Sequence, residues 1–270
     1  VVRSVNNTYN YNGNTYVRRN EKDALVGFYL ASAASAVLFK LLPSFSNPFE
    51  KQMLREHANN YLYRDYFDRA VEQSGLLQKG LQVEHLAFSP QEGAALRDGF
   101  AVADAEIKAG LNACYEPKLK TIRLNKDKAT ITGFHELGHA VNHLSSKFGK
   151  VLQKLRVPGY VISGLMASIA TFSRPKPKDA PRNALDWVLD NCTTIAVAGM
   201  LPTVAEEAMA SYKGIKLAKT VGLSEPLVKN LKKFYGKALL SYAGYATVTG
   251  LAVYSMSKIM EIFTRPKKIS

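Results

Sequence analysis

Cysteine is nearly missing from this chain. There are two in 270 residues, Cys114 and Cys192, far apart and with no C-x-x-C pair. That excludes a disulfide framework and a zinc-finger ligand set. Histidine is scarce too, with five in all. Acidic residues are in deficit, 22 Asp and Glu against 36 Lys and Arg, for a net charge of +14. Such a surplus favours contact with anionic surfaces: membrane lipid, nucleic acid or acidic protein. The basic residues are dispersed, and no zinc-finger, helicase-like or RNA-recognition signature accompanies them, so nucleic acid is not an expected partner. Mean hydropathy is −0.12, low for a membrane protein, although the apolar residues are gathered into a few long stretches.

Against that scarcity, three of the five histidines fall in one short stretch, FHELGHAVNH, residues 134–143. An α-helix turns once every 3.6 residues, so His135 and His139 point the same way and can hold one metal ion. Glu136 lies about 100° around the helix. It misses the metal and still reaches a water beside it. Two ligands and one general base is the division of labour of an H-E-x-x-H zinc hydrolase. The competing reading is an ordinary helix with polar residues. Gly138 costs a helix roughly 1 kcal/mol against alanine, which implies close packing against another element.

A zinc site needs a third protein ligand. His143 lies one turn past His139, but histidines at i, i+4 and i+8 span about 12 Å along the axis. With zinc–nitrogen bonds near 2 Å, one ion cannot bind all three, so His143 reads as a surface or supporting residue. The glycine turn and further histidine of the extended metzincin motif are absent. Downstream, Leu201-Pro202-Thr203-Val204-Ala205-Glu206-Glu207 offers two carboxylates. Either Glu206 or Glu207 qualifies chemically as the third ligand of a His-His-Glu site.

Three stretches, in order, carry a resemblance: Tyr115-Glu116-Pro117-Lys118-Leu119-Lys120-Thr121-Ile122-Arg123-Leu124, then His135 to His139, then Glu207-Ala208-Met209-Ala210-Ser211 following Leu201-Pro202. Together they resemble the small membrane-bound neutral zinc metallopeptidases of the gluzincin group. The resemblance covers roughly residues 110 to 215. It implies Zn²⁺ held by His135, His139 and Glu207, with Glu136 as catalytic base; a helix start shifted by one residue would substitute Glu206. It also implies a fold that is mainly α with a small β element (α+β): a minimal zincin-like catalytic core combined with about four apolar, membrane-crossing helices. In zinc peptidases a strand beside the active helix can align an extended substrate by backbone pairing, and Thr121, Ile122 and Arg123 are the expected substrate-binding residues. An oxyanion donor is expected but not placed by the sequence; Tyr212 and His85 are candidates, with a structural role the preferred reading of each.

The apolar stretches are Ala24–Leu42, Val157–Phe172, Val188–Ala205 and Ala238–Ser257. A spanning helix needs about 20 apolar residues. The first and last fit best; the middle two are short and rich in small residues, which suit close helix packing in lipid. The expected segments are a polar 1–23, an apolar helix 24–42, a catalytic region 43–156, an apolar hairpin 157–205, a ligand-bearing helix 206–237 and an apolar helix with basic tail 238–270. Two stretches separate His139 from Glu207, so both can lie on one side of a membrane. The amino terminus, the hairpin tip at 174–182 and the carboxyl terminus then share the other. All three are basic, which favours a cytoplasmic location for that side.

Smaller signals fill in the rest. Asn12-Gly13 among Tyr and Thr predicts a hairpin, and Asn6-Asn7-Thr8 matches a glycosylation pattern. Apolar spacing at Leu54, Ala58, Leu62, Phe67, Ala70 and Val71 predicts helix over 50–80. Pro90 opens another helix with Ser89 as N-cap, and Thr121–Leu124 alternates as a strand. The function expected is a zinc endopeptidase acting on membrane-associated or unfolded proteins, in a multi-pass membrane protein with lipid as a further partner. The alternative is a membrane scaffold or assembly protein on a metallopeptidase-like fold without proteolytic activity.

Overall fold

A computed structural model describes residues 8–11, 13–56, 61–172, 175–177 and 180–269. The fold is mainly helical with two small sheets. The chain divides into two compact units. One comprises Val1–Pro43, Arg156–Leu201 and Ala243–Ser270, the other Ser44–Leu155 and Pro202–Tyr242. These edges lie close to the composition changes at 42/43, 156/157, 205/206 and 237/238. The last three of those changes are not ends of elements, because single helices run through all three.

The first unit holds the apolar helices. Hairpin strands β1 (Thr8–Tyr11) and β2 (Asn14–Val17) lead into α1 (Glu21–Phe39). Gly13 at φ 73° takes the left-handed turn conformation that glycine tolerates; Asn12, like Asn6, lies outside the described residues. The Asn20 side chain caps α1 by accepting from the Asp23 N–H. Also present are most of α7 (Lys147–Phe172), the short α8 (Ala184–Asp190), the start of α9 (Cys192–Thr220) and the end of α10 (Glu225–Thr264). Small residues set the packing: a Cβ on Gly159 would strike the Gly199 carbonyl, and Ser163 Oγ donates to the Ala196 carbonyl at 2.7 Å. Such close approach is how helices associate in lipid. A final strand, β6 (Lys267–Ile269), pairs antiparallel with β2, so the basic carboxyl-terminal segment is tied to the amino-terminal hairpin.

Among the described residues, two helical segments, Glu21–Pro48 and Lys147–Phe172, are long and apolar enough to cross a membrane; α8 with α9, bent by 72°, makes a third if it is one span. That differs from the four stretches expected. Ala238–Ser257 lies inside the 40-residue α10, which is not among them; Tyr242, Tyr245, Tyr254 and interspersed Ser and Thr dilute its apolar character. Asp190-Asn191 coincides with the bend.

The second unit contains α2 (Leu42–Glu56), α3 (Arg64–Gln73), β3 (Gln82–Leu86), α4 (Pro90–Arg97), α5 (Ala105–Lys108), β4 (Cys114–Glu116), β5 (Thr121–Asn125) and α6 (Gly133–Ser145), with the start of α7, the rest of α9 from Pro202 and α10 up to Tyr242. The helix expected over 50–80 is two helices, and Ala58 lies outside the described residues. Phe67, Ala70 and Val71 are buried as their spacing requires, whereas Leu62 is exposed. Ser89 caps α4 in a reciprocal capping box with Glu92. In the three-stranded sheet β5 is central, parallel to β3 and antiparallel to β4. Its buried Ile122 and Leu124 face a core with Phe67, Phe134, Leu137 and Tyr235.

Candidate metal centre

The site is made where α6 crosses α9. Gly138 is the reason they approach so closely: a Cβ there would run into the Ala210 carbonyl oxygen. One turn along, a Cβ on Gly214 would meet the Phe134 carbonyl. With backbone against backbone, Glu207, one turn before Ala210, is brought to the histidine face of α6.

His135 Nε2 lies 3.0 Å from His139 Nε2 and 3.0 Å from Glu207 Oε2, and His139 Nε2 lies 3.5 Å from the same oxygen. Tetrahedral zinc with bonds of about 2.0–2.1 Å sets its ligands roughly 3.3 Å apart, so these three atoms fit one ion. The outer ring nitrogens are held elsewhere. His139 Nδ1 is 2.9 Å from Glu206 Oε1, and His135 Nδ1 is 3.1 Å from Ser211 Oγ. An ionised carboxylate only accepts, so His139 donates from Nδ1, and once its other proton is released Nε2 is the atom left to ligate an ion.

Adjacent residues thus take separate roles. Glu207 joins the donor triangle. Glu206, fully buried, grips the back of His139 and accepts from Asn142 Nδ2 at 2.9 Å and Gln153 Nε2 at 3.0 Å. Burial disfavours charge on His139, but Glu206 and Glu207 outweigh it and hold its pKa up to about 10. A pocket with two buried carboxylates retains a cation, whether proton or metal.

The Glu136 carboxylate lies beside both histidines, within reach of the same ion. Its Oε2 accepts the Tyr115 N–H of edge strand β4 at 2.7 Å. Burial raises its pKa, against the pull of His139 and His135. Tyr115 is fixed at its other end too, its hydroxyl 2.8 Å from His143 Nδ1. That contact places His143 beside the site and outside the donor triangle. Burial and then Lys150, Lys120 and Lys154 lower the His143 pKa, favouring the neutral ring.

Three expected residues are elsewhere in role. Thr121, Ile122 and Arg123 sit in β5, paired on one side with β3 and on the other with β4. Their backbone has no free edge for a substrate. Arg123 is also engaged with Glu84 at 2.8 Å and Asp104 at 2.7 Å. Tyr212 is 68 % exposed, and His85 lies against Arg64 at 3.3 Å; neither belongs to the donor group.

Asn142, Gln153 and Tyr235 were not singled out from the sequence, and Ser211 was quoted within a motif but given no role. Asn142 and Ser211 had a signal, since they follow His139 and Glu207 by one helical turn on the same face. Gln153 comes back from α7 after a turn set by Ser146, whose Oγ accepts the Gly149 N–H at 3.0 Å. Tyr235, from α10, packs its ring 5.2 Å from that of His135 and donates to the Ile131 carbonyl at 2.8 Å. Neither contact has a local sequence signature. Compared with protein-family models, curated proteins and solved structures, the chain gives no match.

Proposed function

We propose that this chain is a zinc-dependent endopeptidase of the gluzincin kind, with a minimal zincin-like core, acting on membrane-associated or unfolded proteins. The observation that carries the reading is the convergence of His135 Nε2, His139 Nε2 and Glu207 Oε2 beside the Glu136 carboxylate. A purely structural metal site needs donors alone. It has no use for an acidic side chain held next to them by a backbone N–H. The apolar lengths of α1 and α7 support a multi-pass membrane location.

Zinc, when bound, supplies a Lewis acid that polarises the scissile carbonyl and acidifies the attacking water. Glu136 takes the proton of that water and delivers it to the leaving amine. With Oε2 anchored by the Tyr115 N–H, Oε1 is the oxygen that receives the proton. Glu206 and Ser211 fix the two rings so that both Nε2 atoms face one point.

The test pairs metal analysis with cleavage of an unfolded, fluorescence-quenched protein by the detergent-purified chain. Wild type is expected to carry close to one zinc and to cleave. Glu136→Gln keeps the zinc and loses about 10²-fold or more in rate. Zinc without any cleavage above that variant moves the molecule to the scaffold reading. Wild type prepared without chelators and lacking zinc removes the metal centre altogether.

A further inference from the structure

We propose that an anionic phospholipid headgroup binds where the residue segment before α1, the last turns of α10 and strand β6 come together. An open cavity of about 370 Å³ lies there, and a second of about the same size, walled by residues of α7, α8, α9 and α10, shares Lys258, Glu261 and Arg265 with it. The more open one is lined by four cations, Arg19, Lys258, Arg265 and Lys267, and by a single carboxylate, Glu261. Part of this is ordinary pairing along α10. Lys258 Nζ is 3.0 Å and Arg265 Nη1 2.8 Å from the two Glu261 oxygens, at i,i+3 and i,i+4 spacing. That pairing does not account for Arg19 and Lys267, which arrive from other elements. Arg19 comes no nearer than 3.9 Å to Asp23, and its Nη2 makes only a 3.5 Å approach to the Ile262 carbonyl. The Nε atoms of Arg19 and Arg265 are buried with no acceptor among the described residues.

Four cations around one carboxylate repel one another, and an anion relieves that repulsion. Two guanidiniums from separate elements, each a planar fork of donors, suit the several oxygens of a phosphate. The surroundings favour a lipid phosphate over a soluble one. Arg19 stands just before α1 and Arg265 immediately after α10. Ile262 in the cavity wall is 66 % exposed, and Leu25, Val26, Tyr29 and Leu30 of α1 are exposed as well. A basic pocket at the start of apolar α1 receives a headgroup while the acyl chains follow the exposed apolar face of that helix. The inference rests on the membrane reading of α1 and is independent of the peptidase reading.

The test measures binding of short-chain phosphatidylglycerol, phosphatidylcholine and inorganic phosphate to the full chain in neutral detergent, by native mass spectrometry. Phosphatidylglycerol is expected to bind about tenfold or more tightly than phosphatidylcholine. R19Q/R265Q abolishes that preference, and K229Q/K233Q, which removes the same charge elsewhere, preserves it. K258Q/K267Q, at exposed positions, tests the same cluster should the arginine pair misfold, with helical circular dichroism as the check on folding. Equal binding of the two lipids overturns the proposal, as does a preference that survives in every folded cluster variant. Displacement of the lipid by an equal concentration of inorganic phosphate reassigns the cavity to a soluble ligand and overturns it too.

Discussion

At the scale of single residues, the two neighbouring glutamates separate cleanly. Glu207 faces the inner nitrogens of His135 and His139, and Glu206 is a buried clamp on the outer side of His139. Glu207→Gln is therefore expected to lose the metal. Glu206→Gln retains it with an affinity lowered about 10- to 100-fold, the usual effect of removing a partner behind a ligand. Competition with a calibrated chelator distinguishes the two, and equal losses would contradict the assignment. Zinc bound through these atoms would compete with protons for them. His139 has a pKa held up to about 10, above neutral pH, so it enters the competition protonated. Zinc uptake at pH 7 is expected to release protons and to weaken as pH falls. Titration calorimetry in two buffers of different ionisation enthalpy reads the release directly; identical heats in both would rule it out.

At the scale of elements, the sequence was legible where a single element carried the whole signal. The H-E-x-x-H helix, the Ser89 cap and the Thr121–Asn125 strand are each encoded by a few adjacent residues. It was not legible where the outcome depends on neighbours. Thr121 to Arg123 spell a strand, but whether a strand is central or at the edge depends on what pairs with it, and β3 closes the open side. Gln153 and Tyr235 reach the site through long-range packing that leaves no periodic trace. Gly138 was legible as a close contact but not as the contact with Ala210. Gly138→Ala is expected to push α6 from α9, with a loss of about 1–3 kcal/mol as overpacking costs, and to impair metal retention. Gly236→Ala, mid-helix with nothing within 4 Å, is expected to gain about 0.5–1 kcal/mol. Thermal unfolding of the pair measures both; a harmless G138A would mean that the helices are free to separate.

At the scale of the whole molecule, apolar segments and the residues of the candidate metal centre are interleaved along the chain yet sort into two compact units. Composition made that division visible, because the apolar stretches end close to the unit edges. The number of spans was less legible. Apolar length alone cannot distinguish a helix that faces lipid from one buried among others, and α10 mixes both kinds of residue. Exposed Val157, Val161, Leu165 and Phe172 on α7, with Trp187 on α8, leave an apolar surface that water solvates poorly. The expected behaviour is retention in the membrane pellet through an alkaline carbonate wash and release by detergent. Recovery in the carbonate supernatant would show a peripheral protein instead.

The contact between Gly138 and Ala210 acts as a ruler. It fixes α9 at one point, and Glu207 is reached by counting three residues back. Losing one residue from that interval rotates everything before it by about 100° and delivers Glu206 to the place of Glu207. The site would then have a ligand and lose its clamp. Seen as a gene, the codons for Ala208 and Met209 are free to change their spelling far more than their number.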